Sequence, residues 1–218
     1  VDCISSPQKP EVKKVLEAVA QQKNTPISFL NTAMDFEFEL NIPGETQKEN
    51  ARLAIAAINH LPNFSIPKKA ITKGLKTVKW YGRSQIIQKK PLIIFDVAHN
   101  EEGLRCFLDY FQSLKIHGDS MLVISLQSRK RIQSLIPRLQ SVFQYIICTE
   151  TPGRNPMSAG KLLSLFNVDY SIKIISNPIS AIRFCLNQLS PKDAMAIVGT
   201  HYLGPAISKV FKLSFDKF

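Results

Sequence analysis

The 218-residue chain predicts an α/β fold in which a mostly parallel, doubly wound sheet follows a smaller, helix-rich piece. Three observations carry this expectation. The run Pro91-Leu-Ile-Ile-Phe95 is short, apolar and rich in β-branched residues, the mark of a strand covered on both faces. From there onward, short apolar runs alternate with segments whose apolar residues recur every three or four positions, and strands that alternate with helices build a parallel sheet. The character of the sequence changes near Val78, which divides the chain into residues 1–78 and 79–218.

Taken in order, Ser5-Ser-Pro-Gln-Lys-Pro10 leads into Val12, Val15, Leu16 and Val19, an amphipathic helix that begins near Pro10, where helices accept proline. Residues 24–35 read as loop with room for a strand at Ile27 to Leu30, and the alternation Phe36-Glu-Phe-Glu-Leu40 reads as an edge strand. An Ala-rich helix is expected from about Gln47 to Asn59, and a short one from Ile66 that stops near Gly74. Strands are then expected at 91–95, 121–125, 144–149, 171–175 and 194–198. Helices are expected at 101–114, 129–142, 158–165, 178–189 and 203–211.

This order places Asp96, His99 and Asn100 at the carboxyl end of a buried strand, the edge where open α/β sheets bind ligands. Asn100 also suits a helix N-cap, with Glu101 and Glu102 at the positive end of the helix dipole. Packing demands neither a carboxylate nor an imidazole at a strand end, so function is the better account of Asp96 and His99. By the same topology Ser125 to Arg131, Thr149 to Arg154 and Gly199-Thr-His-Tyr202 reach that edge. Gly199-Thr200 fits either an anion site or a tight turn with a cap. His201 reads as an ordinary packed or exposed histidine. Gln47 and Asn50 share a helix face, which fits capping and a site equally.

Bulk properties narrow the function. Hydrophobic residues at 44% describe an ordinary globular core, and no apolar run reaches the roughly 18 residues of a membrane span. Cys3, Cys106, Cys148 and Cys185 are widely spaced, and the last three have apolar neighbours, so reduced packing residues of a cytoplasmic protein are expected, with neither zinc nor disulfides. The formal charge of +11 is scattered apart from Arg129-Lys130-Arg131, and without interleaved aromatics it points away from nucleic acid. The chain begins with Val1 rather than Met and is expected to be a piece of a longer polypeptide.

Five stretches together resemble the carboxy-terminal part of the folylpolyglutamate synthase/dihydrofolate synthase family of the Mur ligase superfamily. They are Ser5-Ser-Pro-Gln8-Lys-Pro-Glu-Val12, Pro43-Gly-Glu-Thr-Gln47-Lys-Glu-Asn50-Ala51, Trp80-Tyr-Gly-Arg83, Phe95-Asp96-Val-Ala-His99-Asn100 and Val198-Gly-Thr-His-Tyr202-Leu, in the family's order. The resemblance implies a Rossmann-like Mur ligase C-terminal domain at 79–218, preceded at 1–78 by the tail end of an α/β ATPase domain. It implies an ATP- and Mg²⁺-dependent ligase in which the carboxyl of folate or dihydropteroate becomes an acyl phosphate that the amine of L-glutamate attacks. Asn50 would then contact adenine, Arg83 the ATP phosphates and Asp96 the ribose, with His99 near glutamate and the transferred phosphate and Thr200 at the substrate. His99 and Arg83 would be the catalytic residues. The parent enzyme is expected to be a cytoplasmic monomer.

The departures define what this piece lacks. No G-x-x-x-x-G-K-[ST] occurs, and the family's metal ligands would lie upstream, so the chain alone is expected to be inactive. Thr46 stands where the family has His, Arg129-Lys130-Arg131 replaces an Asp-Lys-Asp-like segment, and the stretch from Pro26 to Leu40 is short. The competing expectation is a non-catalytic nucleotide- or anion-binding module. A cell-wall peptide ligase is disfavoured by the wording of W-x-G-R and D-x-A-H-N, and a basic nucleic-acid binder ranks last.

Overall fold

A computed structural model describes residues 2–31, 36–167 and 171–215, and the chain divides into two compact units, Val1–Lys79 and Trp80–Phe218.

The first unit opens with strand β1 (Cys3–Ser5), which pairs in parallel with β2 (Ile27–Phe29) across helix α1 (Pro10–Gln22). Helices α2 (Glu45–Asn59) and α3 (Lys68–Thr77) follow. Val12, Val15 and Val19 of α1 stay exposed, as do Leu61, Phe64 and Ile66, so this unit buries little of its apolar surface by itself. The edge strand expected at Phe36 to Leu40 does not form. Its alternation is used differently: Glu37 and Glu39 pair with Lys68 and Lys76 of α3, and Phe36 and Phe38 lie under the cations of Arg52 and Lys68. Asn41 then ties the segment to the Leu75 and Val78 carbonyls of α3, so its companion is a helix and no neighbouring strand completes a ladder. Gly74 does not stop α3, because it is solvent-facing and a helix tolerates an interior glycine at a cost of about 1 kcal/mol.

The second unit is a six-stranded sheet in the order β3-β4-β8-β5-β6-β7. Its strands are β3 (Gln85–Lys89), β4 (Leu92–Asp96), β5 (Ser120–Ile124), β6 (Tyr145–Cys148), β7 (Ser171–Ile174) and β8 (Ala194–Val198). All pairings are parallel except β3 with β4, a bulged antiparallel pair whose first strand the sequence pattern did not announce. Helices α4 (Glu101–Ser113), α5 (Ile136–Val142), α6 (Ala159–Leu163), α7 (Pro178–Leu186) and α8 (Gly204–Phe211) complete the unit.

The expected helix from 129 starts only at Ile136, after a 3-10 turn at Gln133–Leu135. Pro137 explains the delay, since a proline without an N–H fits the first turn of a helix and breaks its middle. Both faces of the central strands β4, β8, β5 and β6 are buried. Ile94, Leu122, Ile124, Ala196 and Val198 pack under α4, α5 and α6 with Leu104, Phe107 and Phe111, while Ile93, Phe95, Val123 and Ile197 pack under α7 and α8 with Ile182 and Ile207. Each such aliphatic or aromatic side chain contributes about 1.5–3 kcal/mol by leaving water. Cys148 and Cys185 belong to these cores, and burial pushes both thiols up to about 12. Cys106 is only half-buried and Cys3 is exposed, so neither is the buried packing residue that was expected. Among the described residues, no helix is long and apolar enough to cross a membrane.

Candidate functional site

The topology opens a crevice where the sequence placed its candidates. Strands β4 and β8 are neighbours and parallel, yet the helix after β4 lies on one face of the sheet and the helix after β8 on the other. The two connections diverge, and a gap forms at the carboxyl ends of adjacent strands. Asp96 to Asn100 form one lip and Gly199-Thr200 the other, joined by a bond from the Gly199 amide to the Asp96 carbonyl at 3.4 Å.

Asp96 is 5% exposed and holds two turns together. Its Oδ2 accepts the Ser84 amide at 2.7 Å and the Ser84 hydroxyl at 3.2 Å, and its Oδ1 accepts the Ala98 amide at 2.7 Å. Three of about four acceptor positions are thus used, and one remains. Burial pushes this carboxyl above its usual range, opposed by the Ser84 and Ala98 donors and the Arg83 charge. A raised folded-state value means that the group favours folding below the ordinary carboxylate range and that this contribution is lost as pH rises through the folded value. The stability advantage of the wild type over Asp96→Asn, read by urea unfolding from acid to neutral pH, is therefore expected to shrink as pH rises. A widening gap would show that the amide donors outweigh desolvation.

Gly82 fits the Trp80-Tyr-Gly-Arg83 turn against the end of β4. Its φ is +71°, its carbonyl accepts the Val97 amide at 2.8 Å, and a Cβ there would meet Val97 at 2.6 Å. This seat carries Arg83, which is exposed and whose guanidinium makes no hydrogen bond or ion pair with any described residue. The Asp96 charge field therefore acts on an arginine otherwise ready for an anion.

His99 is half-buried, with Nδ1 at 3.0 Å from the Val97 carbonyl oxygen. A carbonyl only accepts, so Nδ1 carries the proton and the neutral ring presents Nε2 as a lone pair. Asn100 does what its capping reading said: its Oδ1 accepts the Gly103 amide at 2.8 Å at the start of α4. Thr200 is 2% exposed and its Oγ1 accepts the Tyr202 amide at 3.3 Å, the cap of a 3-10 turn, which leaves the hydroxyl proton to donate. His201 is exposed and lies against the Tyr202 ring, 4.1 Å between centroids.

Asn50 lies on α2 in the first unit, where it is exposed and its amide donates to Gln47 Oε1 at 3.2 Å. The shared face read from spacing is real. The capping role is not, since the helix begins at Glu45 after Gly44 with no side-chain cap. Beside the β4 lip, a cavity of about 480 Å³ is lined by Tyr81, Phe95, Val97, His201, Pro205 and Phe215. No sequence pattern marks it, because apart from His201 the walls named are aromatic and aliphatic residues with nothing to distinguish them from packing residues. Among the described residues, no group of three His, Cys, Asp or Glu is placed to hold a metal ion.

Comparisons with known proteins fit this geometry. A dihydrofolate synthase/folylpolyglutamate synthase of Buchnera aphidicola is 20% identical over 202 residues, 86% of this chain and 47% of that protein. Its Escherichia coli counterpart is 30% identical over 114 residues, 52% of this chain and 27% of that protein. Among solved structures, a Mycobacterium tuberculosis folylpolyglutamate synthase complexed with ADP and AMPPCP matches with a TM-score of 0.85 at 17% identity, over 97% of this chain and 55% of that one, which shows a shared fold. The chain thus spans about half the length of such relatives, or less. The family model described as Mur ligase, glutamate ligase domain matches residues 82–201, more than half of the 218, from the Gly82 turn through both lips of the crevice. By that match, this chain belongs to the Mur ligase family through its glutamate ligase domain.

Proposed function

We propose that this chain is the carboxy-terminal part of an ATP-dependent amide ligase that joins L-glutamate to folate or dihydropteroate through an acyl phosphate. The observation that carries the reading is the crevice between β4 and β8, inside the matched glutamate ligase domain, with Arg83, Asp96, His99 and Thr200 on or beside its lips. Residues 1–78 are then the end of the ATPase domain, and the exposed valines of α1 the face that the rest of that domain covers.

The side chains support specific roles. Arg83, which makes no hydrogen bond or ion pair with a described residue, suits the ATP phosphates and the charge that develops as a phosphoryl group moves. Asp96 has one acceptor position left for a ribose hydroxyl, and its other three keep that oxygen fixed. Asn50 is accessible and suits an adenine edge. Thr200 has a hydroxyl proton to give a substrate carboxylate. Glutamate arrives as an ammonium and attacks only as an amine, so a base must take a proton, and Nε2 of His99 is an available acceptor. Mg²⁺ would serve the phosphates of ATP, but the described residues offer no ligand set for it.

The reading is tested on the product of the full gene, in the cytoplasm of whose host the substrates would be met. Phosphate release from ATP is expected only when both L-glutamate and a dihydropteroate or folate acceptor are present, with this chain alone inactive. ATP turnover indifferent to glutamate would favour the alternative, a nucleotide-binding module without ligase chemistry.

A further inference from the structure

The loops after β5 and β6 form a cationic surface that the roles above do not use. Arg129, Lys130 and Arg131 follow β5, and Arg154 follows β6. The backbone zips the two loops together: the Ser128 amide donates to the Asn155 carbonyl at 3.0 Å, the Met157 amide to Leu126 at 2.8 Å, and Gln127 bridges Pro156. The Gln127 side chain adds a bond to the Arg154 carbonyl at 3.4 Å, so the two loops that carry the four cations are held side by side as one platform.

The one acid of the two loops, Glu150, accepts the Ala159 amide at 3.3 Å. There is no Asp or Glu from Leu126 to Ser141 or from Thr151 to Asn167, and none of the four cationic side chains forms an ion pair with a described residue. The platform adjoins the crevice. Gly199 lies so close to the Ser125 carbonyl that an added Cβ would sit 2.0 Å from it, and Gly153 leaves room for the Tyr202 ring, 2.8 Å from where its Cβ would be.

We propose that this loop pair binds a chain of linked glutamates, the polycarboxylate that repeated glutamate addition produces. The proposal rests on the ligase reading above and extends it from the reacting glutamate to the tail already made. Arginine guanidinium groups match carboxylates two bonds at a time, and a row of carboxylates outcompetes a single one for such a platform. Nucleic acid is the poorer fit, because the loops 126–131 and 151–156 contain no aromatic residue of their own and the neighbouring Tyr202 ring is already packed against Gly153 and His201.

The test titrates the 218-residue chain, and separately the full gene product, with γ-linked glutamate oligomers from monomer to pentamer by calorimetry at low and raised salt. Affinity is expected to climb with length and to fall with salt. The triple variant Arg129→Gln/Arg131→Gln/Arg154→Gln, whose loops are exposed and whose unfolding midpoint should match the wild type, is expected to lose about tenfold in pentamer affinity. A control that removes the same charge elsewhere, Lys14→Gln/Lys23→Gln/Lys69→Gln, should lose little. Affinity independent of length, an equal loss in the control, or tighter binding of single-stranded RNA through the same arginines would each overturn the proposal. Failure of the ligase reading is separate, since it would appear as absent ligation with tail binding intact.

Discussion

Gly199→Ala is expected to unfold this protein, with a loss of about 4 kcal/mol or more in denaturant unfolding or no soluble product at all. Two independent effects add at this position. The residue has φ +115°, a conformation that an L side chain rarely adopts and that costs about 1–3 kcal/mol. The added Cβ would also lie 2.0 Å from the Ser125 carbonyl oxygen and 3.1 Å from Leu126, and the oxygen belongs to backbone locked to β8 by the bond from the Ser125 amide to Val198. Relief would require β5 and β8 to part, and their inner residues are fully buried. Gly160→Ala is the natural control, because nothing lies within 4 Å of its Cβ position and its φ is ordinary. A Gly199→Ala protein with the wild-type midpoint would show that the β5 and β8 turns are not packed as described.

His99→Ala is expected to lower kcat of the full gene product by about 10²–10⁴-fold while leaving its fold and its nucleotide binding intact. The half-buried ring stands on a turn held by Asp96, the Gly82 carbonyl and the Asn100 cap, so its removal disturbs no core. What is lost is the Nε2 lone pair of the tautomer whose Nδ1 donates to the Val97 carbonyl. His99→Gln separates the two ways the ring can act. Glutamine can hydrogen-bond but cannot take the ammonium proton, so it should be as slow as alanine. Full activity of the glutamine variant would reduce His99 to a positioning residue.

Much of the fold was legible because the central strands of the sheet are buried on both faces. A strand such as Ala194–Val198 must then be apolar throughout, and its limits were read without error. The failures share a physical origin. β3 carries Gln85, Gln88 and Lys89 because it lies at an edge and pairs through a bulge, so neither continuous apolarity nor clean alternation marks it. The 36–40 stretch alternates perfectly, but alternation reports two-sidedness and not a partner, and here the partner is α3. Of the site, Asp96, His99 and Thr200 were visible as polar residues where a buried strand ends. Their internal bonds were not, because Ser84 meets Asp96 across the open end of the antiparallel β3–β4 pair, which no local pattern encodes.

The fate of one carboxyl oxygen distinguishes an acyl-phosphate ligase from a nucleotide-binding module. Dihydropteroate or folate labelled with ¹⁸O in the carboxyl group that accepts glutamate is incubated with ATP, L-glutamate and the full gene product, and the released phosphate is weighed by mass spectrometry. An acyl phosphate passes one carboxyl oxygen to phosphate when the amine displaces it, so ¹⁸O is expected in the phosphate as the amide forms. Unlabelled phosphate, or labelled acceptor that never gains glutamate, would contradict the assignment of this chain to a glutamate ligase.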